Sequence, residues 1–100
     1  MIVTFAAELW TWDARRHDSW TFVSLPGEES EEIRELTAGQ VRGFGSVRVR
    51  VTVGGSVWQT SIFPDGKREV YALPIKAAVR RAEQLDPGDT LVVTVELMDF

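Results

Sequence analysis

The sequence predicts a mainly β domain, a pseudo-two-fold β-barrel of about six strands capped by two short α-helices. Three observations carry that expectation. Residues 46–62 (SVRVRVTVGGSVWQTSI) are two alternating runs about a glycine pair. Residues 90–97 (TLVVTVEL) alternate as cleanly, and the stretch 22–40 is echoed by the stretch 70–89. With 100 residues and 44% hydrophobic content, residues 1–100 suffice for one domain with one core. Folding a chain of this size buries roughly 60–65% of its surface.

Residues 2–10 (IVTFAAELW) read as the first strand. Val3, Phe5, Ala7 and Leu9 share one face; Ile2, Thr4, Ala6, Glu8 and Trp10 share the other. Residues 11–18 (TWDARRHD) form a polar connection, and 19–25 (SWTFVSL) a second strand rich in β-formers. Pro26 suits a first helical position, Glu28 and Glu29 suit the positive N-terminal end, and Gly39 is a natural stop. The apolar stripe of this helix, Ile33 and Leu36, is thin, which places it on the surface.

The central hairpin is the clearest signal. Gly54-Gly55 supplies the positive φ that a tight turn demands. Pairing across it sets Val47 against Ile62, Val49 against Thr60 and Val51 against Trp58, with Arg48 against Ser61 and Arg50 against Gln59 on the other face. One turn thus sorts both strands into an apolar and a polar side, and Trp58 becomes a core anchor. Residues 63–67 (FPDGK) read as a turn and 69–73 (EVYAL) as the fifth strand. Pro74 ends it and opens the second helix, with Ile75, Ala78, Val79, Ala82 and Leu85 on one face and a stop at 86–89 (DPGD). In the last strand Leu91, Val93, Val95 and Leu97 point inward, Thr94 and Glu96 outward.

Both Leu25-Pro26 and Leu73-Pro74 close a strand and precede a helix that ends in Leu-x-x-Gly. Two copies of such a unit imply halves related by an approximate two-fold axis. Their helices differ in charge. The first carries five acids (Glu28, Glu29, Glu31, Glu32, Glu35) against Arg34, which accounts for the whole net charge of −4. The second carries Lys76, Arg80 and Arg81 against Glu83. It reads as a lid, seated closely through Ala78, Val79 and Ala82, with its arginines solvated or paired. A basic recognition helix is the competing reading. The acidic balance of the chain disfavours nucleic acid.

The ordered set VTVGGSVWQTSI, YALPIKAAVRRA and EQLDPGDTLVVTVEL, with the earlier Phe5-x-Ala7-x-Leu9 and Phe22-Val23-x-Leu25-Pro26, resembles the bacterial and archaeal family called domain of unknown function nineteen-oh-five. The resemblance covers nearly the whole chain. It implies a double-split β-barrel, a fold class shared with swapped-hairpin transition-state-regulator DNA-binding domains, and it implies no activity.

Candidate site residues follow from chemistry. Trp10 and Trp12 have the parity opposite to the core face of the first strand, beside Arg15, Arg16 and His17. They form either a small-ligand or protein-binding patch or part of the core; Trp20, Phe44 and Tyr71 are positioned to join them, though Trp20 and Trp58 read first as barrel filling. His17 between Asp13 and Asp18 is the one general-base candidate, and no nucleophile accompanies it. Arg48 and Arg50, joined by Arg80 and Arg81, are the alternative nucleic-acid surface. Cysteine is absent and no phosphate-cradling or metal-ligand motif is present, so neither cofactor nor metal is expected. The start MIVTFAAELW lacks the pattern of a signal peptide, and no run approaches a membrane span. The expectation is a cytoplasmic, non-catalytic binding module, monomeric or homodimeric, with a small molecule or a protein as partner.

Overall fold

The alternating runs on either side of Gly54-Gly55 pair in the expected register. β4 (Val47–Val53) and β5 (Ser56–Asp65) are antiparallel, with Val47 opposite Ile62, Arg50 opposite Gln59 and Val51 opposite Trp58. Gly54 alone of the pair takes a left-handed conformation, φ +55°, the signature of a turn with its first central residue at positive φ. The structure, a computed structural model, describes residues 1–12, 20–39 and 45–99. The remaining elements are β1 (Ile2–Glu8), β2 (Trp10–Thr11), β3 (Thr21–Ser24), α1 (Gly27–Thr37), β6 (Val70–Pro74), α2 (Ala77–Glu83) and β7 (Thr90–Leu97).

Seven strands pair in the order β1-β7-β4-β5-β6-β3-β2. The first and last of these are pieces of one run of chain, separated only by Leu9. The Leu9 N–H donates to the Asp89 carbonyl at 2.9 Å and its carbonyl accepts from the Gly88 N–H at 2.7 Å, which extends the β1–β7 ladder. One residue later Trp10 faces Phe22 of β3. The expected first strand is therefore one strand that changes partners at Leu9, which makes the count seven rather than about six. β5 does the same on the opposite side, pairing with β4 through Ile62 and with β6 from Phe63 onward. A curled sheet split at two such crossings is the double-split arrangement.

The echo in the sequence is a rotation in space. β3 and β6 pair with Ser24 opposite Ala72, and 72 − 24 equals the separation of the two Leu-Pro pairs, 73 − 25. An approximate two-fold axis between those two residues exchanges β3 with β6, α1 with α2, β4 with β7, and β1–β2 with β5. The strand order is unchanged by that exchange.

Alternation fills the interior. Val47, Val49, Val51 and Val53 of β4, Val3 and Phe5 of β1, and Leu91, Val93, Val95 and Leu97 of β7 are all buried, while Ile2, Arg48 and Val92 face out. Burying each Val or Leu contributes roughly 1.5–3 kcal/mol relative to exposure. Among the described residues no helix is long and apolar enough to cross a membrane.

Four local expectations are corrected. β5 runs through Phe63 and Pro64 to Asp65, and the turn follows at residues 66–69. The Asp65 carboxylate accepts from the backbone N–H groups of Lys67 and Arg68, and the Glu69 N–H donates to the Asp65 carbonyl, so the aspartate closes the turn it was expected to occupy the middle of. Pro64 is tolerated within the strand because its partner Tyr71 directs both backbone groups elsewhere: the N–H to Ser30 Oγ and the carbonyl to the Leu25 N–H.

The second helix starts at Ala77, not at Pro74. Pro74 is still strand, opposite Phe22, and Ile75 remains extended because its N–H donates to the Thr21 carbonyl at 2.9 Å and its carbonyl accepts from Thr21 Oγ1 at 2.7 Å. The delay rotates the helix: Val79 is buried, Arg80 and Glu83 are half-buried, and Ala78 and Ala82 face solvent. Gln84, at φ +56°, ends it ahead of the expected proline-glycine stop. In α1, Pro26 is the residue before the helix, and Ser30, Ile33 and Thr37 face the barrel while Leu36 is exposed.

An aromatic row ending in a cationic cleft

β2 and β3 are short, and their outward positions carry large rings. Trp10 stacks on Phe22 with ring centroids 5.0 Å apart, and Phe22 stacks on Trp20 at 6.3 Å. The spacing follows from the pleat: Trp20, just before β3, and Phe22 within it are two residues apart, and Trp10 is directly across from Phe22. Offset stacking of this kind adds about 0.5–1.5 kcal/mol per pair beyond burial.

The two ends of the row differ. At Trp10 the ring is held by three contacts: Nε1–H donates to Ser24 Oγ at 3.0 Å, Phe22 stacks on it, and the Arg68 guanidinium carbon lies 3.8 Å from its centroid. Trp20 has Phe22 as its one ring neighbour, no cation over it among the described residues, and 65% of its surface exposed. The row therefore ends on one open indole face.

Trp20 borders a cleft of about 260 Å³ between the end of β6 and α2, lined also by Thr21, Pro74, Ile75, Lys76, Ala77 and Arg80. Lys76 and Arg80 form no ion pair with any described residue, and Arg80 Nε is buried without a hydrogen-bond partner. A buried donor left unpaired costs about 1–3 kcal/mol, more when charged, so such a group calls for an explanation. Arg80 also borders an adjoining hollow with Arg81, Gln84 and Asp86. Among the described residues no three His, Asp or Glu side chains are placed to hold a metal ion.

The residues proposed from sequence are distributed as follows. Trp10 belongs to the row, half-buried; Trp12 is exposed (68%), its N–H donating to the Trp20 carbonyl at 3.0 Å. Arg15, Arg16 and His17, with Asp13, Asp18 and Phe44, lie outside the described residues. Trp20, expected as filling, is at the surface, and Trp58 is half-buried against the core rather than its anchor. The two corrections have separate causes: the small β2–β3–β6 sheet turns its Trp20 side outward, and the Trp58 ring lies only partly buried against the core. Tyr71 is buried, its backbone N–H bonded to Ser30 of α1.

Arg48 and Arg50 lie on the exposed face of β4. Arg50 is opposite Glu96 in the register and pairs with it at 3.4 Å, so that surface loses half its positive charge. Arg80 and Arg81 sit on α2, the first at the cleft and the second exposed. Sequence reasoning passed over Phe22, Arg68 and Lys76. Phe22 has the parity of Trp20 and was legible; Arg68 was hidden by the misplaced turn, and Lys76 by the misplaced helix start.

No curated protein matches the chain. A family model described as a domain of unknown function, DUF1905, matches residues 5–95. Over nine-tenths of its length, therefore, this split barrel with its aromatic row is a DUF1905 domain, and the chain belongs to that family.

Proposed function

We propose that the protein is a non-catalytic binding module that takes a small planar molecule on the open face of Trp20. The observation that carries this reading is the asymmetry of the row: three stacked rings, one end closed by Arg68, the other open onto a cleft. A pre-stacked indole presents a rigid apolar surface at low entropic cost. The cleft is slightly below the roughly 300–1,000 Å³ of drug-sized ligand sites, which fits a ligand of one or two rings. The cysteine-free composition suits a reducing bacterial cytoplasm.

The test is a titration followed on the four indole N–H resonances, using a set of neutral one- and two-ring compounds such as 2-naphthamide. The Trp20 signal moves saturably and the Trp58 signal does not. Shifts spread over all four indoles, or absent from Trp20, contradict the reading.

A further inference from the structure

We infer that the ligand of this cleft is an anion: a planar ring carrying a carboxylate or a phosphate, the ring on Trp20 and the charged group against Arg80 and Lys76. The inference rests on the cleft being a ligand site and adds the chemical class. Two cationic side chains line a space otherwise walled by Trp20, Thr21, Pro74, Ile75 and Ala77, and neither has a carboxylate partner among the described residues. Among the described residues Arg34, Arg50 and Arg68 are paired with Glu31, Glu96 and Asp65, while Arg48 and Arg81 share with Arg80 the lack of a carboxylate partner. The Nε of Arg80 is removed from water and bonded to nothing. Arg80 lines the cleft, and an oxyanion seated there meets its guanidinium in a charge-assisted bond, which is short and strong.

The charge is not imposed by the fold. The two halves share one architecture, yet the helix related by the two-fold axis carries Glu28, Glu29, Glu31, Glu32 and Glu35. The cationic lining is particular to the half in which Trp20 ends the row. A single open ring face and a cleft of this size accommodate one planar group, which separates this site from a surface for single-stranded nucleic acid, where successive bases each need a face.

Calorimetric titrations with matched probes test the inference: 2-naphthoate against 2-naphthamide, and adenosine 5′-monophosphate against adenosine, with inorganic phosphate alone as a further arm. The charged member of a pair binds about tenfold or more tightly than its neutral partner, consistent with one charge-assisted hydrogen bond. The pair showing the larger ratio identifies carboxylate or phosphate as the source. Arg80→Gln and the exposed Lys76→Gln each shrink that ratio, whereas Trp20→Leu weakens both members. Equal affinities within both pairs, or a ratio untouched in both charge variants, overturn the anionic assignment while the cleft reading stands. Phosphate binding as tightly as the nucleotide overturns the need for a ring, and no binding by any probe removes the cleft reading itself.

Discussion

Arg68 spans two contacts: its guanidinium carbon stands 3.8 Å from the centroid of the Trp10 ring, and its Nη1 pairs with Asp65 Oδ2 at 3.0 Å. The turn after β5 thereby reaches across to β2 and closes one end of the aromatic row. A cation over an exposed ring contributes about 0.5–1 kcal/mol, and an exposed ion pair little more. Arg68→Ala is expected to shift Trp10 emission to the red and to lower stability by about 1 kcal/mol in urea denaturation. A loss above about 2 kcal/mol contradicts a merely surface role.

Ser30 ties α1 to the sheet. It is fully buried, and its Oγ accepts from the Tyr71 N–H at 3.1 Å. Ser30→Ala strands that N–H in the interior. The expected cost is about 1–3 kcal/mol, with faster hydrogen exchange at the Tyr71 amide. An unchanged exchange rate shows that another acceptor takes over.

The hairpin tip and α2 are joined through Glu83, whose carboxylate accepts from Ser56 Oγ at 2.7 Å and from the Gly55 N–H at 3.4 Å. A Cβ on Gly54 would overlap that carboxylate, and φ there is +55°. Gly54→Ala therefore meets two penalties, a backbone one of roughly 1–2 kcal/mol and the displacement of Glu83 from Ser56. In a Glu83→Ala background only the first remains, so a double-mutant cycle shows a coupling of about 0.5–1 kcal/mol. Strict additivity in thermal or urea unfolding contradicts the latch.

Trp20 and Trp58 are expected to separate in stability measurements. Trp20→Ala removes a mostly exposed ring and changes stability by about 0.5 kcal/mol. Trp58→Ala uncovers the core valines it packs on and costs about 2 kcal/mol, short of the 3–5 kcal/mol of a fully buried ring. Equal costs would place Trp20 back in the core.

How much of this was legible follows from the kind of signal involved. The β4–β5 register was readable because a glycine turn and a strict two-residue alternation each fix the same pairing, and β7 because Leu91, Val93, Val95 and Leu97 leave one choice of inward face. The two-fold relation was readable because it is written as a repeated Leu-Pro. What failed depended on partners distant in sequence. Pro74 and Ile75 stay extended only because Phe22 and Thr21 lie beside them, and local helix chemistry carries no trace of that. The division of residues 2–10 at Leu9 is likewise set by Asp89 and Phe22. At the candidate site the parity of Trp10 was readable, whereas the exposure of Trp20 depends on which way a small sheet faces. The cleft itself needed the true start of α2.

The most direct measurement is a crystal structure of the protein soaked with 2-naphthoate. The expected result is the naphthalene ring stacked on Trp20 with the carboxylate against the Arg80 guanidinium. A ring ordered at another surface, or an empty cleft at a concentration that saturates binding in solution, contradicts it.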